Sequence, residues 1–128
     1  MKKILVVQKI HEAGIKLLKN NPDYEFEIIE DINDPSLKDK ILDCDGVSLR
    51  TAKLTGDIIS LGKKIQIISR HGVGYDNIDL NTCKQNNITV KTLRDTNVTQ
   101  TITASSEFTL ALFLNVIRNF PKAIENIS

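Results

Sequence analysis

Lys3-Ile4-Leu5-Val6-Val7 is a short unbroken apolar run rich in β-branched side chains, and its reading sets that of the whole chain. Strict alternation would mark a strand wet on one face, whereas a continuous run this short marks a strand covered on both, as in parallel sheets flanked by helices. Outward from it, His11 to Lys19 sets Ile15, Leu17 and Leu18 among charged residues near helical spacing, then stops at Asn20-Asn21-Pro22. That pattern predicts an amphipathic helix. Tyr24, Phe26 and Ile28 alternate with Glu25 and Glu27 as a second strand, and Asp34-Pro35-Ser36 opens another helix running to about Leu42.

Gly46 to Leu49 is the third strand, Leu54 to Leu61 a helix, Ile65 to Ser69 the fourth strand, Ile78 to Lys84 a short helix, and Ile88 to Val90 the fifth strand. Strand and helix thus alternate as far as Val90. Parallel strands need a crossover and the crossover is usually helical, so the expected class is α/β: a parallel five-stranded sheet with helices on both faces. At this length the flavodoxin-like order 2-1-3-4-5 fits best.

Thr92 to Thr103 is threonine-rich, lacks an apolar period and reads as a loop or hinge. From Ala104 to Phe120 a helix is expected in which Phe108, Leu110, Leu112, Phe113, Leu114, Val116 and Ile117 make nearly every side apolar. A surface helix is apolar on one stripe only. This one needs cover from outside the sheet domain, and a homodimer through helix 104–120 would supply it. The expected division is a domain over 1–103 and a C-terminal helical segment over 104–128.

The 128 residues are one domain's length, with 17 basic side chains against 16 acidic ones, which gives no bulk electrostatic case for nucleic acid. Met1-Lys2-Lys3 precedes too few apolar residues for a signal-peptide core, and Asn115 and Arg118 interrupt the C-terminal run below the ~20 residues a bilayer span needs. A cytoplasmic protein with no membrane partner is expected. Cys44 and Cys83 have no second Cys or His at ligand spacing, so they read as buried reduced thiols and no metal site is expected.

In open parallel sheets ligands bind beyond the carboxyl ends of the strands, where the strand order reverses. Here those ends carry Gln8-Lys9, Arg50-Thr51 and Arg70-His71-Gly72-Val73-Gly74. Three basic side chains and a glycine turn converge there, a setting suited to a carboxylate or phosphate. Gly72 and Gly74 either serve an anion or simply permit a tight turn. His71 is a possible general base, although a lone His beside a turn is more often structural. The Gly-x-Gly is a weak dinucleotide signal, since Asn77 holds the third glycine position and Val90-Lys91 replaces the acidic residue that would grip a ribose.

The run Ser69-Arg70-His71-Gly72-Val73-Gly74-Tyr75-Asp76-Asn77-Ile78-Asp79-Leu80 closely resembles the D-isomer-specific 2-hydroxyacid dehydrogenases, the family of phosphoglycerate, glyoxylate/hydroxypyruvate and D-lactate dehydrogenases. Leu49-Arg50-Thr51 before Lys53-Leu54-Thr55, and Glu107 to Leu114 leading to Arg118-Asn119-Phe120-Pro121-Lys122-Ala123, are similar to two further family stretches in the right order. The resemblance implies an NAD-dependent oxidoreductase acting on the CH–OH of a small 2-hydroxy or 2-oxo acid. It also implies that these residues form the substrate-binding part, with helix 104–120 as a hinge leading to a Rossmann NAD domain outside the chain. Val73 and Gly74 would then offer backbone N–H groups to the substrate carboxylate, helped by Arg50. The family's catalytic Arg, Glu and His would lie past the hinge, so no catalytic residue is assigned within 1–128 and the segment alone is expected to be inactive. The chain departs from the family at Lys91-Thr92-Leu93, where Asn-Thr-Pro is usual, and at Ser105-Ser106-Glu107 in place of Val-Ala-Glu.

Two other classes compete. A free-standing module for small anions would keep the carboxylate loop without redox chemistry. A phospho-receiver domain shares the strand order but needs acidic residues after the first and third strands, where this chain has Gln8-Lys9 and Arg50.

Overall fold

The opening apolar run becomes an inner strand. In the computed structural model, which describes residues 1–127, β1 (Lys2–Val7) lies between β2 (Tyr24–Ile29) and β3 (Gly46–Leu49). With β4 (Ile67–Arg70) and β5 (Thr89–Lys91) it forms a five-stranded sheet of order β2-β1-β3-β4-β5 in which every pairing is parallel. This is the expected flavodoxin-like order. The crossovers are α1 (Glu12–Lys19), α2 (Leu37–Asp43), α3 (Gly56–Leu61) and α4 (Leu80–Gln85). Parallel crossovers are right-handed, so the reversal of direction after β2 puts α1 on one face and α2, α3 and α4 on the other.

Register then sorts the side chains. Leu5, Val47, Ile68 and Val90 align across four strands, with Val7 beside Leu49 in a further row, and Leu37, Ile41, Ile59 and Cys83 belong to the same core cluster from α2, α3 and α4. On the α1 face the matching row is Ile4, Gly46, Ile67 and Thr89. Side chains alternate between faces along a strand, and this second face is only partly covered. Val6 is fully buried while Ile67 is 40% exposed, and a hollow of about 540 Å³ lies among Ile10, Gly14, Leu17, Gly46, Ser48 and Ile67.

Among the element boundaries that differ from the sequence reading, three have a visible physical cause. Leu54, expected to start a helix, instead forms a parallel bridge with Ile78, its N–H donating to the Asn77 carbonyl at 2.8 Å, and α3 starts at Gly56. Ile65 is buried, yet its N–H donates to the Gly62 carbonyl in the turn after α3, so β4 begins two residues later. The Asp79 carboxylate accepts from the Thr82 N–H at 2.9 Å, and this cap starts α4 at Leu80.

The chain divides into two compact units after Thr96. From Asn97 on, a 3₁₀ turn (Asn97–Thr101) precedes α5 (Ala104–Arg118) and α6 (Phe120–Glu125). The single helix expected over 104–120 is therefore broken. Asn119 adopts a left-handed conformation, φ 48° and ψ 52°, a state Asn tolerates better than most residues. Pro121, which has no N–H and would crowd the preceding turn, is placed instead at the start of α6. No residue of α5 is buried, with Phe108 66% and Val116 79% exposed. Among the described residues no helix is long and apolar enough to cross a membrane.

Candidate functional site

The carboxyl ends of β1, β3 and β4 stand side by side where the strand order turns back. Gln8, the first residue past β1, is held at φ 68° while its N–H donates to the Ile29 carbonyl at 2.7 Å. A non-glycine residue in the left-handed region is strained and needs local compensation. That compensation comes from its side chain: Gln8 Oε1 accepts from the N–H of Thr51 at 2.8 Å, the N–H of Ala52 at 2.7 Å and the Thr51 hydroxyl at 3.1 Å. Two of the donors are backbone N–H groups, which fixes the carbonyl end of the amide inward.

The same loop is tied through its carbonyls. Arg70 Nε and Asn77 Nδ2 each donate to the Arg50 carbonyl at 3.3 Å, and Asn77 Nδ2 also donates to Ala52 at 2.7 Å. Serving two carbonyls leaves Asn77 Oδ1 buried with no donor among the described residues. Residues 50–52 are thus pinned from both sides, and the Arg50 side chain projects from them exposed, with no hydrogen-bond or ion-pair partner among the described residues.

Arg70 reaches the glycine loop as well, Nη1 donating to the Gly74 carbonyl at 2.6 Å. One guanidinium therefore spans from the Arg50 carbonyl to the Gly74 carbonyl. Neither glycine owes its place to a positive φ, since the chain has no glycine in that region. Close approach is the reason: a Cβ on Gly72 would lie 3.0 Å from Arg70 Cζ, and one on Gly74 would lie 3.1 Å from Arg70 Nη1 and 3.0 Å from an Asp76 carboxylate oxygen. The far side of the loop is fixed by the Leu93 N–H, which donates to the Gly72 carbonyl at 2.9 Å, and by Arg94 over the Tyr75 ring at 6.0 Å. Leu93 and Arg94 sit in a 3₁₀ turn started by a Thr92–Asp95 capping box, structure that the threonine-rich stretch did not announce. Between these ties, the N–H groups of Val73 and Gly74 donate to nothing among the described residues, and Val73 is 42% exposed.

Arg50, Val73 and Gly74 are thus borne by two loops held together by one side chain. Arg70, counted on sequence among three convergent basic groups, is largely spent on backbone carbonyls. Lys9 and His71 are exposed, and the His71 N–H donates to the Leu49 carbonyl at 2.7 Å. Gln8 and Asn77 were missed as braces. The only hint was their position, at a strand end and just past the glycines. Two hollows, of about 540 and 250 Å³, lie elsewhere and are lined by neither Arg50 nor Gly72 to Gly74.

The shifted titrating groups also lie elsewhere. Hydrogen bonds from Lys3 and Lys64 hold the Asp43 carboxyl down at about 2, Lys2 and the Lys3 N–H lower Asp45, and burial pushes the Cys44 thiol up to about 11 and raises Cys83. Among the described residues no cluster of three His, Cys, Asp or Glu side chains could hold a metal. A dinucleotide cradle does not fit the glycine loop, because no helix starts behind it: Leu54 and Ile78 bridge first, and α4 begins at Leu80.

What two unpaired N–H groups beside an arginine serve is informed by relatives. The chain is 34% identical over 128 residues to the D-3-phosphoglycerate dehydrogenase of Methanocaldococcus jannaschii, covering 99% of this chain and 23% of that one. Among solved structures, the NAD⁺-bound 3-phosphoglycerate dehydrogenase of Entamoeba histolytica matches with a TM-score of 0.63 and 33% identity, over 71% of this chain and 32% of that one. A Pyrococcus horikoshii protein matches at TM-score 0.78 and 28% identity, over 99% of this chain and 37% of the other. The family model for the D-isomer specific 2-hydroxyacid dehydrogenase catalytic domain matches residues 4–127, and the chain belongs to that family.

Proposed function

We propose that residues 1–128 are the substrate-binding part of an NAD-dependent D-2-hydroxyacid dehydrogenase. The Val73 and Gly74 N–H groups and the Arg50 guanidinium would hold the substrate carboxylate. The observation that carries this is the pair of adjacent unpaired N–H groups at a loop that Arg70 fastens to the Arg50 carbonyl. Backbone donors together with a guanidinium suit a planar carboxylate, and their prior fastening limits the ordering cost of binding. Because two of the relatives named above, from Methanocaldococcus jannaschii and Entamoeba histolytica, are phosphoglycerate dehydrogenases, a phosphoglycerate-like 2-hydroxy acid is the proposed substrate class. NAD would exchange hydride with C2 of that acid, bound by chain beyond the glycine loop described here. The role left to these residues is to bind the acid and orient its C2.

Two free buried thiols, Cys44 and Cys83, favour the cytoplasm as the setting. The unburied apolar residues of α5 favour a homodimer through this helix, since even half of the apolar side chains on 104–120 amount to several hundred Å², near the upper end of what soluble monomers expose. Sedimentation tests this, and a monomer at high concentration with α5 protected from hydrogen exchange would overturn it.

The site is tested by titrating the isotope-labelled chain with glyoxylate. One charge-assisted contact and two N–H donors support roughly millimolar binding at most, so shifts at Arg50, Val73 and Gly74 in that range are expected. Changes confined to other loops would refute the site. The chain alone should not reduce NAD with any 2-hydroxy acid, and steady turnover would refute its assignment as a substrate-binding part.

A further inference from the structure

Gln8 is the residue that the proposed function leaves unexplained. Three donors, the N–H groups of Thr51 and Ala52 and the Thr51 hydroxyl, converge on its Oε1 within 2.7–3.1 Å. Consecutive N–H groups aimed at one point form the kind of concavity that ordinarily receives an anion. A carboxylate is the strongest partner for such donors. The chain instead places a neutral amide there, reached across 43 residues of sequence and at the expense of a left-handed backbone at φ 68°. That choice has an electrostatic consequence: the loop is satisfied without a negative charge being set two residues of backbone away from the Arg50 side chain it presents.

We propose that Gln8 is a positioning and charge-specificity residue. It clamps the loop that presents Arg50 without adding a second negative charge to that of the Asp76 carboxylate near Gly74, so that binding of anionic acids strengthens with ligand charge. The charge half of this rests on the proposed carboxylate site, whereas the clamp does not. Two functions are thereby separated in one side chain, and two variants pull them apart. Gln8→Glu keeps an acceptor for all three donors and adds a charge. Gln8→Leu removes the acceptor and adds none.

The experiment follows the amide signals of Thr51, Ala52, Val73 and Gly74 in the wild-type chain and both variants, alone and with glyoxylate, a monoanion, or malonate, a dianion at neutral pH. In Gln8→Leu the Thr51 and Ala52 amides should lose hydrogen-exchange protection and shift. In Gln8→Glu their protection should return, with the introduced carboxyl titrating below the ordinary glutamate range because three donors stabilise its charged form. Affinity should not return with protection. One added negative charge in a partly exposed crevice should weaken malonate by about three- to tenfold and glyoxylate by less, an effect that shrinks at high salt. Unchanged Thr51 and Ala52 amides in Gln8→Leu would overturn the clamp. Malonate binding to Gln8→Glu as tightly as to wild type would overturn the charge role. If the wild-type chain binds neither acid at Arg50, Val73 and Gly74, the carboxylate site fails and takes the charge role with it, while the Thr51 and Ala52 amides still decide the clamp.

Discussion

The sheet unit and the helical unit that follows it use apolar residues in opposite ways. In the first, Leu5, Val7, Leu49, Ile59 and Ile68 are all but sealed from solvent. In the second, Phe108, Phe113, Val116 and Ile117 stand 60–79% exposed. Composition alone would not separate the two. The difference is whether a segment's apolar side chains find partners within its own unit: a strand meets neighbours through register, while a helix apolar on every side must recruit them. Local sequence is therefore enough to make α5 a helix and not enough to say what it packs against.

Truncation is the harshest way to break this contrast. Leu49→Ala or Ile59→Ala should cost about 2–5 kcal/mol, the range for large-to-small changes in sealed cores. Phe113→Ala should cost within about 0.5 kcal/mol in dilute solution, as for an exposed position, and more only where concentration drives self-association. Urea unfolding over a hundredfold range of protein concentration reads both. Equal costs at low concentration would mean that α5 is already covered.

A middle-sized effect is expected at the glycine loop, which is fastened without a hydrophobic core. Arg70→Lys keeps the charge but not the planar fork that spans the Arg50 and Gly74 carbonyls. About 1–2 kcal/mol should be lost, the scale of one or two hydrogen bonds from a charged donor, together with glyoxylate affinity. Gly72→Ala should cost less, about 1 kcal/mol, because the Arg70 guanidinium, met at 3.0 Å, need give only by a few tenths of an ångström, which strains its ties to the Arg50 and Gly74 carbonyls without removing them. Loss of stability in Arg70→Lys with glyoxylate binding intact would show that the tie supports the fold and not the site.

These loops also mark how far the sequence could be read. Periodicity is a local signal, so strands, helices and the strand order with its crevice followed from the run at Lys3–Val7 and the alternation after it. Braces are not local. Gln8 meets Thr51 across 43 residues and Asn77 meets Ala52 across 25, and no spacing rule links an amide to a carbonyl that the fold alone brings near. Leu54 and Asn119 failed for a related reason: each sits in an apolar or helical pattern, and a competing interaction, the bridge to Ile78 in one case and the start of a new helix before Pro121 in the other, decides its conformation.

The smallest effect concerns charge at the edge of the sheet unit opposite the crevice. Asp43 closes α2, where the helix dipole disfavours a negative charge, and ion pairs with Lys3 and Lys64 offset this. Those pairs hold its carboxyl at about 2 against an ordinary 3.8. A carboxyl lowered on folding contributes stability that is complete above the ordinary value and is lost as pH falls through the folded one, so the loss belongs between about pH 4 and 2. Lys3 is raised above its ordinary 10.5 by the same contact, and its contribution is present below that value and lost at still higher pH. Between these limits Asp43→Asn should lower stability slightly, and the acid-side decline should become shallower without vanishing, because Asp34 and Asp45 are lowered too. Exposure makes the pairs sensitive to screening, so salt at 0.5 M should narrow the gap between wild type and variant. Both tyrosines, Tyr24 and Tyr75, lie in the sheet unit and the chain has no tryptophan, so the tyrosine near-ultraviolet signals, read apart from those of phenylalanine, report this unit alone. An acid transition in those signals that Asp43→Asn leaves untouched would place the titrating group elsewhere and remove Asp43 from the set of contacts that distinguish the sheet unit.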